Sequence, residues 1–227
     1  MKIALISDIH GNYPALSAIL KRIGDYKCDL IISLGDIAGY YCMINECIDL
    51  CRKYRVLNVL GNHDYYLISG TECPRSTTAN KCIAFQRKII TEENLAWLSK
   101  SIPLFRDKQC WFVHGGWHNP LDEYVETFKF SDFLNCGSRI FASGHTHVQK
   151  IQIKGRQVYL NPGSTGQPRD GDSRAAFALI DSKYKVSLMR EEYDIDSIAL
   201  EMKKNGFDSR LYSGLFNGTK IQQFNNQ

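Results

Sequence analysis

Over the first 60 positions, short unbroken apolar runs alternate with longer stretches in which apolar residues recur every three or four places. "KIALIS", "CDLIISLGD" and "RVLNVLGNHD" are runs of the first kind. Short continuous apolar runs rich in β-formers are what strands buried on both faces present. "YPALSAILKRIGDY" and "INECIDLCRKY" have the helical period, and Pro14 suits the first turn of its helix. The order β-α-β-α-β predicts parallel pairing with helices laid over the sheet.

From about Tyr65 to Ser101 the pattern reads differently. "TTANKCIAFQRKI" and "TEENLAWLSKS" predict two helices, with Thr91-Glu92-Glu93-Asn94 as the start of the second. They are read as a small helical cap inserted at about 65–105. Strands follow in "DKQCWFVHGG" and "SRIFASGHTH". "VQKIQIKGRQVYLNPGS" alternates around a Gly-Arg turn and predicts a hairpin, and "RAAFALID" with "KVSLMREEY" predicts a further antiparallel pair. "DIDSIALEMKKNG" closes as a helix ending near Gly206, and the polar "IQQFNNQ" reads as a frayed end. No repeat or linker divides the chain. The expectation is a single α/β domain over residues 1–227, with two packed mixed β-sheets flanked by helices and a helical cap.

Asp8, Asp36 and Asn62 each fall just beyond the carboxyl end of a predicted strand, the edge at which open α/β sheets bind ligands. His114 ends another strand, and His145 and His147 end a further one. His10 and His63 stand beside these positions. Five of the six histidines therefore lie at strand ends, and the sixth, His118, lies four residues past His114. Taken singly, Asp8 or Asn62 reads as a helix cap and "HGG" as a turn. His145 and His147, at i and i+2 of an extended segment, project to one side and can reach one small volume. Carboxylate, imidazole and amide groups together suit Mn²⁺, Fe, Zn²⁺ or Mg²⁺.

Composition narrows the class without changing this picture. The chain has 227 residues, 44% hydrophobic and 23% charged, an ordinary globular balance with enough length to bury a sizeable core. The net charge of +4 is mild and no dense Lys/Arg block appears, so nucleic acid is not indicated as a partner. The apolar N-terminal run is broken by Asp8, too early for a secretory signal, and no stretch approaches the ~18 apolar residues of a membrane span. The expected location is cytoplasmic, with no membrane partner. Eight cysteines form no C-x-x-C pair. Cys47 and Cys51 share a helix face with Cys42 upstream, yet reduced and mostly buried thiols are the expected state.

The blocks "DIHGN", "GDIAGY", "GNHD", "HGG" and "GHTH" occur in the order of the calcineurin-like metallophosphoesterases, and the chain resembles that superfamily over nearly its whole length. "NECIDL", "NPGSTGQPRDGDSRAAFALID" and the closing helix look like its compact bacterial and archaeal phosphodiesterase branch. The resemblance implies two divalent ions, Mn²⁺ ahead of Fe, Ni, Zn or Mg. Asp8, His10, Asp36 and His147 would bind one, and Asp36, Asn62, His114 and His145 the other, with Asp36 bridging. It implies hydrolysis of a small phosphodiester or phosphomonoester by hydroxide held at the metals, with His63 as the catalytic group that contacts phosphate. Such ions sit roughly 3.5–4 Å apart, which explains two histidines one residue apart, each serving a different ion.

The pattern also departs from relatives. Protein phosphatases of the superfamily carry an Asp three residues after the bridging Asp, which orients the catalytic histidine, and an Arg soon after the G-D block. Here Gly39 occupies that Asp position and no Arg follows, so the partner orienting His63 is unidentified. "HGGWHNPL" stands where relatives often show "HGSPRDPL", which makes His118 a substrate-binding candidate. Arg169 is another, as is Arg174, although each has a neighbouring carboxylate, Asp170 or Asp172, with which to pair. Two rivals remain: a non-enzymatic scaffold or protein-interaction module like the small retromer subunit, which lacks the catalytic histidine retained here as His63, and a nuclease, which would want a basic aromatic-lined groove. A homo-oligomer and the natural substrate are both left open.

Overall fold

The computed structural model describes residues 1–221. The expectation of a frayed end therefore falls mostly outside the described residues. Two five-stranded sheets pack face to face. In chain order the elements of the first half are β1 (Ile3–Ile6), α1 (Tyr13–Tyr26), β2 (Leu30–Ser33), α2 (Ile44–Lys53), β3 (Leu57–Asn58), α3 (Asn62–Ser69), α4 (Thr77–Ile89) and α5 (Glu92–Leu98). The second half contains β4 (Phe105–Arg106), β5 (Cys110–Phe112), β6 (Ile140–Ala142), β7 (Gln149–Lys154), β8 (Gln157–Pro162), β9 (Ala175–Ile180), β10 (Val186–Glu191) and α6 (Ile195–Lys204).

The first sheet has the order β10-β9-β1-β2-β3, with β1, β2 and β3 parallel and β9 and β10 antiparallel. The second has the order β4-β5-β6-β8-β7, with β5, β6 and β8 parallel and hairpin partner β7 antiparallel. Both are mixed sheets flanked by helices, as the pattern predicts. Alternation sorts the side chains. Ile3, Leu5, Ile32 and Leu34 point between the sheets and meet Phe112, Ile140, Ala142 and Leu160. Ala4 and Ile6 point the other way, onto α1 and α2. Each such fully buried aliphatic contributes about 1.5–3 kcal/mol relative to exposure.

Helix α1 starts where Asn12 accepts from the Ala15 N–H and ends at Lys27, which takes a left-handed φ of 50°. Its buried stripe is Ala15, Leu16, Ile19, Leu20 and Ile23. In α2 the stripe is Ile44, Cys47, Ile48 and Cys51, so the helix-face cysteines are core residues. All eight cysteines are free thiols, and burial pushes those of Cys42, Cys82 and Cys110 up to about 12, which leaves them unreactive. Helices α4 and α5 bury Ala79, Ile83 and Leu98 in the same cluster as β1 and α1. They are built into the layer over the first sheet, and the turn joining α3 to α4 overhangs the strand ends. Helix α3 was not predicted: it is short, its apolar residues do not repeat, and it begins at Asn62. No helix among the described residues is long and apolar enough to cross a membrane.

Candidate metal centre

The parallel strands of both sheets deliver their following residues to one edge. Asp8 and His10 follow β1, Asp36 follows β2, and Asn62 opens α3 after β3. His114 follows β5, and His145 and His147 follow β6. All seven are buried. Five of them hold left-handed backbone: Asp8 (φ 53°), His10 (54°), Asp36 (60°), His145 (65°) and His147 (62°). For residues with a Cβ that conformation costs about 1–2 kcal/mol each. Hydrogen bonds between the turns hold it: Asp8 N–H donates to Gly35 O (3.0 Å), His10 N–H to Asp36 O (2.9 Å), and His145 N–H to Asp8 Oδ2 (3.1 Å). Strain gathered at one point of a fold is a mark of a functional site.

Three imidazoles are held in a defined tautomer. The Nδ1 atoms of His10, His114 and His147 each face a backbone carbonyl, of Ala38 (2.9 Å), Leu34 (2.8 Å) and Gln167 (2.7 Å). Nδ1 therefore carries a proton, and Nε2 points inward. Burial depresses the pKa of His10 and of His147, so both rings are neutral and their Nε2 lone pairs are bare. Those two atoms lie 3.1 Å apart. Neither can donate to the other, so the arrangement is favourable only with a cation to share. His145 turns its Nδ1 to the same side, 3.2 Å from His114 Nε2.

Asp36 is the junction. Its Oδ1 accepts the His63 N–H at the start of α3 (2.8 Å) and lies so close to Gly61 that a Cβ there would sit 2.1 Å away. Its Oδ2 faces Nε2 of His114 (3.4 Å), His10 (3.9 Å) and His63 (4.0 Å). Burial would raise the Asp36 pKa, but these imidazoles outweigh it and hold the group ionised. Burial would lower His114, but Asp36 reverses that and raises it to about 9, so positive charge is favoured here. Burial pushes Asp8 up to about 6, although Ser7 Oγ donates to its Oδ2 at 2.7 Å. Three sets of potential ligand atoms each lie within 4.8 Å of one another: Asp8, His10, His147; Asp36, His114, His145; and His10, Asp36, His63. Asn62 Oδ1 joins the second set, 2.9 Å from His114 Nε2. The donor set and the bare lone pairs fit divalent ions.

A family model of the calcineurin-like phosphoesterase superfamily domain matches residues 1–185. The chain belongs to that superfamily. It is 37% identical over 240 aligned residues to uncharacterised protein MJ0912 of Methanocaldococcus jannaschii, covering 95% of this chain and 98% of that one. A metallophosphoesterase from Sphaerobacter thermophilus superposes with a TM-score of 0.83 at 29% identity, covering 96% of this chain and 99% of its own. Phosphodiesterase YfcE of Escherichia coli K12 is 23% identical over 188 residues, covering 80% of this chain and 88% of its own. The chain thus falls in the compact prokaryotic branch of the superfamily.

Around the metal candidates of this superfamily member lies a cavity of about 250 Å³. His63 lines it, and its buried Nδ1 has no partner. The missing orienting carboxylate has a steric reason: a Cβ on Gly39 would lie 2.1 Å from His10 Nδ1. His63 is instead fixed by rings, those of His10 at 4.8 Å and Tyr40 at 5.0 Å. The cavity also receives Tyr124, whose ring covers His145 at 4.1 Å between centroids.

Asp64 gained no role from the sequence, yet it ties the ends of β2 and β3 together. It accepts from the backbone N–H groups of Asp36, Ala38 and Gly61 and from Asn58 Nδ2. Its place directly after "GNH" was the available signal.

The substrate-binding candidates separate. Arg169 lines the cavity. Arg174 is ion-paired with Asp172 away from it. His118 does not join the site: it is exposed on a turn whose backbone binds Glu123, and it borders a different groove with Trp117 and Phe133. The turn after His114 carries the chain outward before residue 118, so proximity in sequence misleads.

Proposed function

We propose that the protein hydrolyses small phosphate esters with two divalent ions. Asp8, His10, Asp36 and His147 would hold one, and Asp36, Asn62, His114 and His145 would hold the other, with Asp36 common to both sets. The observation that carries this reading is the inward convergence on Asp36 of the His10 and His114 Nε2 atoms, each backed by a carbonyl on Nδ1, with His147 Nε2 beside them. Superfamily membership and the similarity to a phosphodiesterase support phosphate esters as the substrate class. Three oxygen and four nitrogen donors favour Mn²⁺ or Fe over Mg²⁺.

When bound, such ions polarise a phosphoryl oxygen and supply a nucleophile at neutral pH. The chain's own groups do the rest. The carbonyls of Ala38, Leu34 and Gln167 hold three imidazoles in the binding tautomer. Burial lowers the His63 pKa against the pull of Asp36. His63, fixed by its neighbouring rings, is therefore charged only once a bound anionic phosphate favours it, and then gives a proton from Nε2 to the leaving oxygen, a contribution typically worth about 10²–10⁴-fold. Tyr40 and Tyr124 line the site beside it. The full donor set together with His63 favours an enzyme over a scaffold.

The test is to strip the protein with chelator, restore Mn²⁺, and measure metal content beside hydrolysis of bis(p-nitrophenyl) phosphate and p-nitrophenyl phosphate. Two bound ions and restored turnover on at least one ester are expected. Two bound ions with no turnover on either would favour the scaffold reading.

A further inference from the structure

The cavity over the metal candidates is one of two that meet. Its neighbour, of about 290 Å³, contains none of the candidate ligands. The two share the same rim residues: Tyr124, Arg169 and Lys220. Lys150 adds a further cation to the neighbouring cavity, against a single lining carboxylate, Glu126. Thr146 and Asn161, whose side chains are hydrogen-bonded to each other (3.0 Å), give it polar wall atoms.

The rim arginine has an unusual pairing. Asp170, its neighbour in sequence, is taken by Arg190, and Asp172 is taken by Arg174. Arg75, the other arginine on the first cavity, is neutralised by Asp122. Arg169 instead bonds the neutral amide oxygen of Gln167 (Nε to Oε1, 3.0 Å) and lies 5.6 Å from the Tyr40 ring. Among the described residues no carboxylate is ion-paired with it, although Asp8 lies within electrostatic reach. Its position is anchored, because its backbone N–H donates to His147 O and Gln167 O accepts from His147 Nδ1. A guanidinium without an ion-pair partner, half-buried and fixed at the mouth between two cavities, favours an anion there.

We infer that the substrate carries a second anionic group, a phosphate or carboxylate on an ester substituent, and that Arg169 and Lys220 bind it where the two cavities meet. The inference rests on the phosphoesterase reading. The scissile phosphate is served by the metals and His63, so the rim cations are free for charge elsewhere on the molecule. The neighbouring cavity houses the rest of that substituent. A simple alkyl or aryl ester would leave both the rim charge and the second cavity unused.

The experiment compares propyl phosphate with α,ω-alkanediol bisphosphates of two to five carbons. They are measured as competitors of bis(p-nitrophenyl) phosphate hydrolysis and, separately, by calorimetric binding to the Mn²⁺-loaded protein. At least one bisphosphate should bind about tenfold more tightly than propyl phosphate, the worth of one further charge-assisted contact. That advantage should vanish in Arg169→Gln and shrink in Lys220→Ala, an exposed position at which folding is not at risk. Equal binding of mono- and bisphosphates at every spacer length would overturn the inference, as would an advantage that survives the double variant. Absence of hydrolysis in the parent would instead count against the phosphoesterase reading, and calorimetry would still decide whether the second-anion site exists.

Discussion

The two sheets offer their strand ends to the same edge but are covered in different ways. The outer face of the first is covered by α1 and α2, whose apolar residues recur at helical spacing. The outer face of the second presents Phe141 and Tyr159, and among the described residues no α-helix packs on it. Segment 115–138 covers it instead, with one 3₁₀ turn at Phe130–Phe133. Trp117, Phe128 and Phe133 do the packing. The Phe128 ring lies nearly parallel to Tyr159, 4.8 Å away at 4°. Each such ring buries about 150–250 Å², so a few of them replace a helix. Covering a sheet requires apolar area, and a regular period is only one way to supply it. The candidate ligands divide along the same line. The helix-covered half gives Asp8, His10, Asp36 and Asn62, while the loop-covered half gives His114, His145 and His147, with Tyr124 on the covering segment itself.

Asp36 stands where the halves meet, so its loss should have the largest effect. Asp36→Asn is expected to lower turnover by about a thousandfold, the several kcal/mol that metal polarisation supplies. It should also lower bound metal more than His10→Ala or His145→Ala does. Steady-state kinetics with metal analysis checks this, and parity among the three variants would break the idea of a ligand shared between halves.

The equivalence of the two covers is tested by stability. Phe128→Ala should cost about 3–5 kcal/mol in denaturant unfolding, as much as Ile19→Ala on α1 at about 2–5 kcal/mol. A cost under about 1 kcal/mol at Phe128 would mean that the segment is a loose flap rather than a packed layer.

His63→Ala should keep both metals and lose at least about a hundredfold on an ester with a poor leaving group. The loss should shrink on a nitrophenyl ester, whose leaving group needs little protonation. An equal loss on both would assign His63 to packing with Tyr40 and His10 instead of proton transfer. The smallest effect belongs to His118→Ala. With its side chain exposed and outside the cavity, turnover should stay within about twofold and stability within about 0.5 kcal/mol. A tenfold change would bring the covering segment into the site.

Much of this was legible because it is local. The 3.6-residue period bounded α1 and α4, and alternation around Gly155 gave the β7–β8 hairpin. The strand-end histidines and carboxylates stood out by position and spacing alone, before any side chain was placed. Less local features were invisible. Helix α3 has too few turns to show a period, and its first turn is capped by Asp36, 27 residues upstream of His63. The 115–138 cover has no period to detect, because its rings are placed by the sheet beneath them.

By itself, then, the sequence determined the order of strands and helices apart from the short α3 and β4, the mixed two-sheet architecture and the set of chemical groups brought to one edge. Those follow from which faces are apolar and from what comes after each strand. Only the tertiary structure decided how the groups act together. The carbonyls that fix the tautomers of His10 and His114 come from residues 28 and 80 positions away. The left-handed turns at Asp8, His10, Asp36, His145 and His147 are held by bonds between separate strand ends. Gly39 admits no side chain because His10 lies against it. Arg169 reaches the cavity because Asp170 and Asp172 pair with other arginines. Local pattern reports what a segment buries, whereas orientation, charge pairing and strain depend on which distant segments pack beside it.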